Sequence, residues 1–343
     1  SSDLALLTFQ VDLGSMLDKT RRVHTLVKKL APMVSLTGTD LKAAQRAAEL
    51  CKADLATQMV VEMTSLQGVM GYYYALDSGE SEAVARAIRE HYLPASADDP
   101  APETKAGLAV GIADRLDSLL GLFAAGLAPT GSKDPFALRR AALGLVGNLI
   151  SWDLDFDLKT ALEKTAEDLP VDVSQETRRE TLEFIIDRLR HYLLDDGAAY
   201  DVVDAILSEQ GYNPAGAYRA VQDLEKWVQR EDWELILDSY ARCVRITRSL
   251  EKSYPVVEDL FETGPEKALN QSLKKAEAFE RQPGDLQAFL TAFTPLIPYI
   301  ADFFDNVLVM AEEQALQENR LGLLQQVAAL AEGTVDMSRL EGF

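Results

Sequence analysis

The sequence predicts an all-α protein. Apolar residues recur three and four positions apart along most of the 343-residue chain, the spacing that lays one apolar stripe along a helix. Alternating β-branched runs bounded by hairpin turns are hard to find. Hydrophobic residues make up 47% and charged residues 26% of the chain, close to the globular average, which excludes wholesale disorder and collagen-like or low-complexity architectures. At roughly 150 residues per domain, the length points to two domains with enough interior for real cores.

In chain order, the period predicts helices over Leu41 to Met70, Pro102 to Leu127, Pro135 to Ile150, Ser174 to Leu194, Asp232 to Leu250, Asp285 to Phe293 and Pro298 to Leu330. Thr39-Asp40 reads as an N-cap, because a short side-chain oxygen can accept from the first free amides, and Asp134-Pro135 puts proline at a first helical turn. Breaks fall where turn residues gather: Leu93 to Ala101, Ala128 to Lys133, Leu169 to Val173, Asp195 to Gly197 and Gln210 to Gly216. The sharpest compositional change is the acidic stretch between Leu154 and Asp172, which predicts domains over 1–160 and 161–343. No fixed-period repeat emerges, which argues against a solenoid.

The 34 Lys and Arg stand against 55 Asp and Glu, a net charge of −21. Such a surface repels nucleic-acid backbone and anionic lipid unless basic residues gather locally, so a nucleic-acid site must be a patch. No apolar run approaches the roughly 20 residues needed to cross a bilayer, so no membrane role is expected. The N-terminus lacks the layout of a signal peptide. Cys51 and Cys243 sit far apart within helical patterns, which suits a reducing, cytoplasmic setting and excludes a disulfide framework or a CxxC zinc site. The start at Ser1-Ser2-Asp3 without methionine points to a piece of a longer protein.

Three segments recur in a suggestive order: Asp18-Lys19-Thr20-Arg21-Arg22-Val23, Cys51-Lys52-Ala53-Asp54-Leu55, and Ile112-Ala113-Asp114-Arg115-Leu116-Asp117. That order resembles the HD metal-dependent phosphohydrolase superfamily, where one His, a His-Asp pair and a later Asp surround a divalent metal. The resemblance puts Asp114 at the late carboxylate and Asp54 at the pair's Asp. Lys19 stands where the first His belongs, and the pair's His becomes Ala53 or Lys52. Neutral nitrogen ligands are needed to hold the metal that acidifies an attacking water. His24, His91 and His191 are the chain's only histidines, and none adjoins these carboxylates in sequence. Catalysis and metal binding are therefore not expected, and Asp54 and Asp114 are expected to cap helices or to pair with Lys52 or Arg115.

Two further motifs are more specific: Gln67-Gly68-Val69-Met70-Gly71-Tyr72-Tyr73-Tyr74-Ala75 and Lys133-Asp134-Pro135-Phe136-Ala137-Leu138-Arg139-Arg140-Ala141-Ala142. Both resemble signatures of the β subunit of bacterial tetrameric-type glycyl-tRNA synthetase. The likeness continues through Phe184 to Arg190, Tyr200 to Leu207, Phe303 to Met310 and Asn319-Arg320-Leu321, nearly the full length. It implies a degenerate HD-like helical domain followed by a helical, DALR-like anticodon-binding domain. It also implies glycine tRNA and an α subunit, or fused α portion, as partners. ATP and magnesium would then be used by the α portion, and no cofactor is expected in this chain.

Lys133, Arg139 and Arg140 flank a loop and a helix start, where amides and guanidinium forks suit phosphate. The alternative is an internal Arg–carboxylate pair. Gly68 and Gly71 allow either a ligand or packed neighbours to approach the backbone closely. Arg242, Arg245, Arg248 and Lys252, spaced three, three and four apart, predict one basic helical stripe with Val244, Ile246 and Leu250 turned inward. The resemblance makes that stripe a phosphate-contacting edge, while composition alone allows a solvated face neutralised by Glu234, Asp238 and Glu251. Asn319 and Arg320 could read the exposed edges of unpaired anticodon bases, or could tie helices together. No Gly-rich phosphate loop or nucleophile elbow is present. Asp98-Asp99 and Asp153, Asp155 and Asp157 read as solvated acidic loops. Beside a tRNA-binding portion, an HD-type phosphohydrolase and a helical protein-interaction scaffold are the other functions weighed.

Overall fold

A computed structural model describes residues 2–96 and 99–343. Asp98 of the first acidic pair lies outside the described residues. The chain divides into two compact units, one of residues 1–192 with 212–215, the other of 193–211 with 216–343. The acidic stretch from Leu154 to Asp172 lies within the first unit. The fold is all-α apart from a two-stranded hairpin, β1 (Thr8–Gln10) and β2 (Gly14–Ser15), among the described residues.

The first unit contains α1 (Met16–Leu30), α2 (Gly38–Leu50), α3 (Gln58–Glu62), α4 (Val69–Asp77), α5 (Glu82–Glu90), α6 (Lys105–Ala124), α7 (Leu138–Ser151) and α8 (Leu158–Ala166). Ser15 starts α1 with a capping box: its hydroxyl accepts from the Asp18 amide, and the Asp18 carboxylate accepts from the Ser15 amide. α6 buries residues on every side, including Leu108, Val110, Ile112, Leu116 and Leu119. A helix apolar all round belongs at the centre of a bundle, and α1, α2, α5, α7 and α8 all pack against it.

In the first unit, predicted helix boundaries move for local reasons. The helix expected over Leu41 to Met70 stops at Leu50 and resumes as α3 and α4. The break lets the Asp54 carboxylate turn to the amide of Gly68, the N-cap of α4, whose φ of 76° lies in the left-handed region. α2 begins at Gly38 behind Thr37 and not at Thr39-Asp40, so Asp40 sits in the first turn, where a carboxylate favours the helix dipole. α7 begins at Leu138, three residues beyond Pro135, because Asp134 accepts from the amides of both Leu138 and Arg139, at 2.8 and 2.9 Å.

α9 (Gln175–Asp195) crosses the division between the units. After it come α10 (Tyr200–Gln210), α11 (Pro214–Val228), α12 (Trp233–Thr247), α13 (Gly264–Glu277), α14 (Leu286–Phe293), α15 (Ile297–Asn306) and α16 (Gln314–Ala329). The second unit's core gathers Tyr240, Phe289, Phe293, Ile300 and Phe303, with the Tyr240 and Phe293 rings meeting edge to face. The helix expected over Pro298 to Leu330 is two helices. Between them Val307 and Val309 are buried while Leu308 and Met310 are exposed, an alternation that suits extended backbone and not a helix.

Of the predicted acidic loops, Asp153 and Asp155 are exposed, and several of the carboxylates also make local hydrogen bonds. Asp99 accepts from the amides of Ala95 and Ser96, at 2.9 and 2.8 Å. Asp157 caps α8, and Asp155 accepts from the Asn213 side chain at 2.8 Å.

Candidate functional site

The three segments that suggested an HD centre meet in the first unit around α6. Asp114 receives Lys19 on one oxygen at 3.1 Å and Lys52 on the other at 2.9 Å. Lys19 also reaches Asp117 at 3.0 Å, and Arg22 closes on Asp117 through Nε at 2.6 Å. Lys19, Lys52, Arg22 and Asp117 are all buried. The helical period explains the pairing: Lys19 and Arg22 stand three apart on α1, as Asp114 and Asp117 do on α6. Burial raises the Asp114 carboxyl, but the Lys19 and Lys52 charges overcome this and hold it well below the usual range.

His91, remote from these residues in sequence, enters the cluster through Lys52, whose ammonium donates to Nε2 at 2.9 Å. The ring's Nδ1 lies 2.5 Å from the Ile88 carbonyl, so Nδ1–H donates there and Nε2 is left to accept. Burial, then the neighbouring Lys52 charge, pushes the imidazole well below its ordinary pKa and keeps it neutral. Of the two candidates for the pair's His position, Lys52 faces Asp114, while Ala53 is half-buried and brings no polar side chain. Arg115 does not pair with Asp114. Its guanidinium instead donates to the carbonyls of His91, Gly111, Tyr92 and Leu93.

Asp54 stands apart from this cluster. One of its oxygens accepts from the amides of Gly68 at 2.6 Å and Gly71 at 3.2 Å, capping α4. Burial raises its pKa against these bonds. The glycine motif thus serves packing: a Cβ on Gly68 would lie 2.5 Å from the Tyr92 ring, and one on Gly71 would lie 2.8 Å from Ile88. The donor set does not fit the divalent metal of the HD superfamily, because a protonated amine has no lone pair and two of them already occupy Asp114.

The basic residues divide differently. Lys133 and Arg140 are exposed, but the start of α7 between them already holds the Asp134 carboxylate, which corrects the expectation that these amides are open to phosphate. Arg139 is half-buried and donates to the Gly131 carbonyl at 2.6 Å.

On α12, Arg245 and Arg248 are exposed and Arg242 is half-buried. The helix ends at Thr247 with Arg248 as its C-cap, so Lys252 lies beyond it and the predicted continuous stripe is shorter. The inward face is Ile236, Leu237, Tyr240, Cys243 and Thr247, whereas Val244, Ile246 and Leu250 are only half-buried. The Arg242 guanidinium lies 4.5 Å from the Phe304 ring centre and that of Arg245 5.4 Å from Phe343, with Asp238 3.7 Å away. These are cation–π distances.

Asn319 and Arg320 are buried, at 2% and 5% exposure. Arg320 donates to Glu266 at 2.7 Å, to Glu262 at 3.1 Å and to the Leu308 carbonyl at 3.0 Å. Glu266 is itself fully buried and forms the capping box of α13 with Thr263. Burial raises the Glu266 carboxyl, but Arg320 and Thr263 hold it below the ordinary range. Asn319 accepts from the Val257 amide at 2.6 Å. Both residues tie helices together and present no exposed edge. Glu266 was missed in the sequence, although Thr263-x-x-Glu266 is a legible capping-box pattern.

Residues 1–208 match the family model described as glycyl-tRNA synthetase beta subunit. The chain is 38% identical over 347 residues to the glycine–tRNA ligase beta subunit of Moorella thermoacetica, covering 97% of this chain and 49% of that one. It is 37% identical over 346 residues to that of Desulforapulum autotrophicum, covering 98% and 50%. It is also 38% identical over 339 residues to the chloroplastic/mitochondrial glycine–tRNA ligase 2 of Arabidopsis thaliana, covering 98% and 32%. The chain spans about half the length, or less, of these relatives. With motifs, helical fold and near-complete coverage in agreement, the chain belongs to the glycyl-tRNA synthetase beta subunit family.

Proposed function

We propose that this chain is a tRNA-binding portion of a glycine–tRNA ligase, which positions glycine tRNA and engages its anticodon region while an α portion carries out ATP- and magnesium-dependent charging. The observation that carries this reading is the family match along nearly the whole chain, joined to exposed arginines on α12 in a protein of net charge −21. Arg245, Arg248 and Lys252 offer charge to phosphates, and Arg242, over the Phe304 ring, offers a guanidinium on which a base can stack. In the first unit Lys133 and Arg140 are the corresponding candidates, with Arg139 orienting their loop through Gly131. A cytosolic setting goes with this reading and with the two buried free thiols.

The phosphohydrolase reading is disfavoured by the ammonium groups on Asp114. An interaction scaffold would need no basic edge. The test is activity by reconstitution. The purified chain alone is expected to give no glycine-dependent ATP–pyrophosphate exchange, and to support glycine charging of tRNA when the rest of the enzyme is supplied. Charging that proceeds equally well with Arg242, Arg245 and Arg248 all replaced by Ala would remove α12 from the tRNA site.

A further inference from the structure

The Lys52 ammonium is buried at 4% exposure and has three different partners. These are a carboxylate oxygen of Asp114 at 2.9 Å, the Nε2 lone pair of neutral His91 at 2.9 Å, and the face of the Tyr92 ring with its centre 4.1 Å away. An anion, a neutral acceptor and a π face converging on one point make a cation seat. The other oxygen of Asp114 is taken by Lys19, which is also held by Asp117 and Ser118. The seat is rigid, because His91 is fixed by the Ile88 carbonyl and the His91 carbonyl is fixed by Arg115.

The geometry points to Lys52 as a tethered cation, an ammonium carried on the chain that fills a seat built by Asp114, His91 and Tyr92 and so makes the centre independent of any free metal ion. A seat of this kind takes a small primary alkylammonium once the tether is removed. Potassium has no N–H to donate to the imidazole nitrogen and so gains less there.

The test uses the full chain. Lys52→Ala is expected to lower the melting midpoint by about 10 °C, because buried Asp114 loses one of its two ammonium partners and His91 Nε2 loses its donor. n-Propylammonium chloride is expected to recover several degrees relative to an equal concentration of potassium chloride. The wild-type chain should show no such difference, and adding Asp114→Asn to Lys52→Ala should abolish it. Equal effects of propylammonium and potassium on Lys52→Ala would overturn the proposal. Should Lys52→Ala not fold, Lys52→Met keeps the length of the side chain without its charge. A Lys52→Met melting midpoint equal to that of the wild type would also overturn it, and a clear drop supports it. Stoichiometric Co2+ binding by the wild-type chain, lost in Asp114→Asn, would contradict the tethered cation outright.

Discussion

Asp54 and Asp114 show how two carboxylates on the same scaffold take opposite electrostatic characters. Asp114 is flanked by two ammonium groups and is held ionised, with its pKa below the ordinary 3.8. Its contribution to stability is therefore complete above pH 4 and is lost as pH falls below that value towards its folded-state pKa. Asp114→Asn is expected to destabilise the chain by about 3–5 kcal/mol at pH 7, since Lys19 and Lys52 lose a buried partner. Denaturant titrations at pH 7 and pH 3.5 check this, and the gap from wild type should narrow at the lower pH. Asp54 has a raised pKa from burial, so its ionised form is the penalised one, and its stabilising contribution falls as pH rises through the folded-state value. It nevertheless holds the amides of Gly68 and Gly71. Asp54→Ala should cost about 1–3 kcal/mol by leaving those donors unpaired. Gly71→Ala should cost a similar amount, about 1–3 kcal/mol, through overpacking, because Ile88 is buried and a new Cβ would approach it to 2.8 Å. Thermal melts of both variants measure this.

At the scale of elements, α16 carries a buried ion pair beside its apolar face. Arg320 joins α16 to Glu266 of α13 and to the Leu308 carbonyl in the break after α15. Arg320→Ala strands a fully buried Glu266, which is expected to cost about 3–5 kcal/mol. Binding of every tRNA should then fall together with the melting midpoint, and selective loss of glycine tRNA with an unchanged melt would restore Arg320 as a base reader. Arg248→Ala at the exposed end of α12 should do the reverse. It is expected to leave stability within about 0.5 kcal/mol while weakening different tRNAs alike. The helices themselves were legible because their apolar period is strong, as in α12 and α14, or because apolar residues cover every face, as in α6. Their ends were less so, because the residues that set them act from outside the periodic pattern. Asp134 moves the start of α7, and Asp54 breaks the segment after α2 by reaching Gly68, which lies fourteen residues on. The cluster around Asp114 was half legible: the lysine in place of the first His could be read, whereas His91 and Asp117 are brought in only by packing.

Across the whole molecule, a net charge of −21 must be reconciled with the proposed polyanionic partner. General attraction cannot supply the affinity, so binding should depend on a few local cations and fall steeply with salt. The family match covers about half of each bacterial relative, and the catalytic step is expected to need the remainder of the enzyme. What this chain should carry by itself is recognition. The most direct measurement is the affinity of the purified chain for glycine tRNA and for a non-cognate tRNA at 50 mM and 200 mM salt, conditions over which phosphate-dominated binding weakens by orders of magnitude. Tighter binding of glycine tRNA at both concentrations, with a salt dependence that drops by about one charge in Arg248→Ala, is the predicted result. Equal affinity for the two tRNAs, or no binding to either at the lower salt, would contradict it.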